Sequence, residues 1–101
     1  MRGESLMGYA YNVTLPAAGS TDYIPINVTG QTQLTAETVY QLAYDENGFS
    51  TNQFSQVIGT QGQLVLNFAE PTVLWVRQNP DLAGAPATVL YVWTDIGGIN
   101  V

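Results

Sequence analysis

The side chains able to do chemistry are few, and the types most used for it are missing. The 101-residue chain has no Cys, no His and no Lys; its two cations are Arg2 and Arg77, against eight carboxylates. Nucleophilic catalysis of the Ser-His or Cys-His kind is excluded because there is no base or thiol to carry it, and a lysine-assisted variant fails for the same reason. The missing Cys also removes disulfides, thiolate chemistry and most zinc sites. What remains is carboxylate chemistry. Asp45 and Glu46 are adjacent in a turn-forming stretch, which splays them into solvent with no apolar pocket to raise a pKa. The chain is expected not to be an enzyme and to hold no cofactor or metal.

Two other patterns carry a mechanism in principle. Asp45-Glu46-Asn47-Gly48 resembles a fragment of a calcium loop, but the flanking ligands and the closing bidentate Glu are absent, so a tight turn with Gly48 or Asn47 at positive φ is expected. Asn12-Val13-Thr14 and Asn27-Val28-Thr29 match the glycosylation acceptor; in a chain this rich in Asn and Thr, chance accounts for them.

Charge narrows the partners. A net charge of −6 leaves no basic patch for nucleic acid and disfavours anionic membranes. Charged residues make up 10% of the chain against roughly 25% in ordinary soluble domains. Thr, Gln, Asn and Ser fill the difference, giving a wet but weakly charged surface that can meet a partner without desolvating many ions. The start, MRGESLMGYAY, lacks the apolar region of a signal peptide, and no apolar run reaches transmembrane length.

The elements that must position these residues read as strands. Residues 63–77, QLVLNFAEPTVLWVR, hold two apolar runs, 64–68 and 73–76, separated by Glu70-Pro71; short runs bounded by turn residues predict a central hairpin. Residues 8–15 and 23–29 alternate as half-buried strands, the second with Pro25 marking either an edge strand or one whose N–H side is free there. A turn is expected at 30–33. Residues 35–45 fit either a short helix or a strand, and the β-formers Thr38, Val39, Tyr40 and Tyr44 favour strand. A weak strand over 49–58, a turn at 59–62, a loop at 78–86 and a last strand over Thr88–Thr94 complete the chain, with Gly97-Gly98 freeing a short tail. The expectation is all-β: one domain over 1–101, a single small antiparallel β-sandwich or barrel of about seven strands.

The informative feature is that two strands are apolar on both sides. One parity carries Leu74, Val76, Leu90 and Val92; the other carries Val73, Trp75 and Arg77 with Val89, Tyr91 and Trp93. If the aliphatic set fills the core, two Trp and a Tyr lie outside, exposing roughly 400 Å² or more, which a soluble monomer rarely leaves uncovered. Otherwise the aromatic set is core and another segment covers the aliphatic one. On the first reading Val73, Trp75, Arg77, Val89, Tyr91 and Trp93 form an intermolecular face, residues 73–77 pair with 88–94, and Arg77 stacks on Trp93 or meets a partner's carboxylate.

Two functions fit such a face. One is a structural subunit that oligomerises or clips onto a larger assembly. The other is a carbohydrate platform, with Trp and Tyr stacking on sugars and Gln78, Asn79 or Asp95 beside them. As a short, cysteine-free, lysine-poor β domain full of Thr, Gln, Asn and Gly, the chain resembles the small head-decoration or cement proteins of tailed bacteriophages. The resemblance implies a non-catalytic β-sandwich on the outside of a virion capsid, homo-oligomeric and often trimeric, bridging capsomers; its partners would be capsid protein and its own copies. It implies no catalytic residues.

Overall fold

The computed structural model describes residues 9–18, 22–82 and 84–95. They form an all-β chain: β1 Tyr9–Leu15, β2 Ile24–Ala36, β3 Val39–Ala43, β4 Ser55–Ile58, β5 Leu64–Gln78 and β6 Thr88–Thr94, with one 3-10 turn at Gly59–Gln61. All pairings are antiparallel, in one six-stranded sheet of order β1-β6-β2-β5-β3-β4. The described strands number six where the sequence suggests about seven, and the ambiguous stretch at 35–45 holds a strand, β3.

The expected central hairpin is instead one 15-residue strand, β5. Val28 faces Thr72 while Gly30 faces Phe68, so β5 carries two more residues than β2 between these pairs. A two-residue excess preserves side-chain parity, and Leu64, Leu66 and Phe68 stay on the same side as Leu74 and Val76. Glu70-Pro71 is therefore a bulge rather than a turn. Pro71 has no N–H, and within a bulge that absence costs no ladder bond. The turn expected at 30–33 is likewise absorbed into β2, where Gly30 takes φ +65° at the irregularity.

β2 and β5 are long enough to serve both halves of the sheet. Residues 30–34 of β2 pair with 64–68 of β5 and residues 32–36 with β6, while residues 24–28 pair with 72–76 and the end of β5 pairs with β3. Residues 73–77 thus do not pair with 88–94; β2 lies between them. The two halves face one another. Leu15, Leu34, Leu90 and Val92 from one join Ile26, Val28, Tyr40, Leu42, Leu74 and Val76 from the other in a single buried cluster. The aliphatic parity is the core.

Neutral polar bonds close the ends. The buried Gln78 amide donates to the Pro16 and Pro86 carbonyls (2.9 and 2.8 Å), and its oxygen accepts from the Thr38 hydroxyl (2.8 Å). At the opposite end Thr94 accepts from Thr29 N–H and donates its one hydroxyl proton to the Thr29 carbonyl, so Thr32 is the donor in the buried 3.0 Å Thr32–Thr94 contact.

The weak strand expected over 49–58 shrinks to Ser55–Ile58, and the preceding residues make a compact loop. Asp45 opens it, its carboxylate accepting from Asn47 N–H (2.7 Å) and its carbonyl from Gly48 N–H (2.9 Å). The positive φ belongs to Asn52 (61°), not to Asn47 or Gly48. Gly48 is needed for space: a Cβ there would stand 2.7 Å from both Ala43 Cβ and the Gln53 carbonyl.

Candidate docking face

Val73, Trp75, Arg77, Val89, Tyr91 and Trp93 all lie on the side of their strands away from the core, but they do not form one surface. Trp75 stands opposite Pro25 of β2, and Tyr91 opposite Thr35. Ten residues of strand separate those positions, roughly 30 Å. Val73 sits apart, opposite Asn27 and 38% exposed.

The first group is covered by the chain itself. Trp75 meets Tyr23 edge-on (5.6 Å), Tyr23 meets Phe49 (5.5 Å), and Phe49 meets Phe54 (5.7 Å). Arg77 stacks on Phe49, its guanidinium carbon 4.3 Å from the ring centre, and donates Nε–H to Gln41 Oε1 (2.9 Å). Arg77 therefore does not stack on Trp93. Burial lowers its pKa from the usual value, yet a guanidinium keeps its charge at any ordinary pH. Its role here is to anchor the loop before β4 by cation–π attraction.

The second group remains open. On the outer face of β6, Tyr91 is 54% exposed between Asn12 of β1 and Thr35 of β2, and Trp93 stands half-buried between Ala10 and Gln33. Val89 follows, opposite Thr14. No residue in register on this patch is charged. A shallow hollow of about 170 Å³ lies there, with Tyr91 and Trp93 beside Asn12, Gln33 and Thr35. The Gln33 amide oxygen is fixed by Gln63 Nε2 (2.9 Å).

Asn12, Gln33 and Thr35 were not legible as a rim, because only the β1-β6-β2 order brings them together. The polar residues expected beside the rings are elsewhere: Gln78 is buried, Asn79 bonds Gln56 (3.0 Å), and Asp95 accepts from Gln31 N–H (3.0 Å). Among the described residues no three His, Cys, Asp or Glu gather as a metal site, and no helix is long and apolar enough to cross a membrane.

Comparison with family models, with curated proteins and with solved structures gives no match.

Proposed function

We propose that this chain is a non-catalytic structural subunit that docks onto a neighbouring protein through the uncharged outer face of β6, as a virion decoration protein docks onto a capsid. One observation carries the reading: β6 is apolar on both sides, with Leu90 and Val92 buried while Tyr91 stands 54% exposed on the other. A strand with one wet face would carry polar residues where Val89, Tyr91 and Trp93 stand. Aromatic residues in an uncharged patch are also the types that concentrate binding energy at protein interfaces. The setting on a capsid rests on the resemblance in composition and architecture. Co-sedimentation with intact particles encoded beside this gene tests it: the wild-type chain pellets, in low and in molar salt alike, and Tyr91→Lys stays in the supernatant. Failure of the wild-type chain to pellet with such particles would defeat the reading.

The hollow beside Tyr91 favours a second reading. A ring for stacking with Asn12, Gln33 and Thr35 at its margin is an arrangement suited to a sugar, the ring covering its C–H face and the amides meeting hydroxyls. A polysaccharide pull-down distinguishes the two. Retention lost in Tyr91→Ala and Trp93→Ala, both still folded, would favour carbohydrate.

A further inference from the structure

The sheet is closed on one side and open on the other. Residues 64–68 of β5 pair with β2 along one edge, and among the described residues no strand pairs with the other edge; β3 reaches β5 only from Trp75 onward, and β4 pairs only with β3. The two halves therefore gape between the free edge of β5 and β4. A groove of about 400 Å³ lies there, lined by Leu64 and Leu66 from one half and by Leu42, Tyr44, Val57 and Ile58 from the other. The edge-on Tyr44–Phe68 pair (6.2 Å) joins the two halves beside it. Tyr44, Ile58 and Val65 are 59%, 46% and 51% exposed.

We propose that this edge is a self-association site, where a second copy of the chain adds its own β5 edge antiparallel about a twofold axis. Protected edges carry Lys, Pro, an inward charge or a bulge; residues 64–68, LVLNF, have none of these, and the bulge with Pro71 begins only beyond Phe68. A strand added here satisfies the outward backbone groups of β5 and turns alternate side chains into the groove. A second β5 brings Leu64, Leu66 and Phe68, apolar groups suited to a groove lined with leucine. The twofold returns the same contact to the first copy.

Charge permits a second copy at this place. Copies with a net charge of −6 repel, yet no groove-lining residue is Asp, Glu or Arg. Two copies can meet here without opposing carboxylates, and a basic partner would gain nothing. Tyr44, Ile58 and Val65 leave on the order of 300 Å² uncovered, short of the roughly 800 Å² per partner of a standard interface. The dimer is accordingly weak and depends on the added backbone bonds.

Sedimentation velocity of the full chain from micromolar to millimolar concentration, with amide hydrogen exchange at 64–69, tests the proposal. The expected result is a monomer–dimer equilibrium that molar salt does not weaken, with protection at 64–69 rising with concentration. Val65→Lys and, separately, Ile58→Lys weaken the dimer by about tenfold or more, while Tyr91→Lys leaves it unchanged. A monomer at every concentration, a trimer or open-ended polymer, or a dimer that survives both edge variants would overturn the proposal. So would loss of the dimer in Tyr91→Lys, which assigns self-contact to the β6 face. Failure of particle binding leaves this result untouched.

Discussion

Tyr40 gives the sharpest test of the interior. Its side chain is fully buried in the core and, among the described residues, its hydroxyl finds no hydrogen-bond partner. Desolvation by burial pushes its pKa up from 10.0 to about 12. An unsatisfied buried hydroxyl forfeits about 1–3 kcal/mol of hydration, so Tyr40→Phe, which keeps the ring, should raise stability by about 1–2 kcal/mol at pH 7. Above the unfolded pKa the sign follows from linkage. Below pH 10 folded and unfolded chains both hold the proton, and the contribution is fully present. Between pH 10 and about 12 only the unfolded chain loses the proton, so stability falls by ~1.4 kcal/mol per pH unit, ~3 kcal/mol in all. Urea unfolding of wild type and Tyr40→Phe at pH 7 and through pH 9–12 measures both effects, and the difference between the two profiles cancels the other tyrosines. The variant should gain at pH 7 and its advantage should widen above pH 10. A variant less stable than wild type at pH 7, or two parallel alkaline limbs, would refute the reasoning; the first outcome would mean that a buried water satisfies the hydroxyl.

Other consequences follow from the bonds that close the fold. Gln78→Leu keeps volume but strands the Thr38 hydroxyl and the Pro16 and Pro86 carbonyls, and urea unfolding should show a loss of about 3 kcal/mol. Arg77→Ala removes the stack on Phe49 and the bond to Gln41; limited proteolysis should then cut within 45–54 before any other segment, with a stability loss of about 1–2 kcal/mol. Gly48→Ala should cost about 2 kcal/mol or more by crowding Ala43 and the Gln53 carbonyl, as thermal unfolding will show.

What the sequence discloses here is local, and what it conceals is pairing. The alternation of Tyr11, Val13 and Leu15 marks β1 with its inward face, because burial of one face imposes the period directly; β6 is apolar on both sides, so its sequence leaves the inward face open and only the structure assigns it to Leu90 and Val92. The Glu70-Pro71 breaker misleads because a turn and a parity-preserving bulge use the same residues. Only the partner strand, with its Gly30 opposite, distinguishes them. The six-residue aromatic set divides for a similar reason. Its parity is readable, but β2 runs between β5 and β6, and Trp75 is met by Tyr23, which Phe49 and then Phe54 of the loop continue, rings that follow no strand period. Asn12, Gln33 and Thr35 come from two distant stretches and become a rim only through register with Tyr91 and Trp93.

The scarcity of charge then acquires a use. Asp22, Glu37, Asp45, Glu46, Glu70 and Asp81 are all exposed, whereas the β6 face and the β5 groove carry none of them. Like charges spread over the remaining surface penalise most approaches between copies, and the two neutral areas are where that penalty is smallest. Internal ties follow the same chemistry, with Gln78, the Thr32–Thr94 pair and the Gln41–Gln56 amides standing where other proteins use ion pairs. Salt screens the repulsion between copies without weakening apolar contacts or neutral hydrogen bonds. Added salt should therefore leave docking unchanged or tighten it, the opposite of what an electrostatic partner would show.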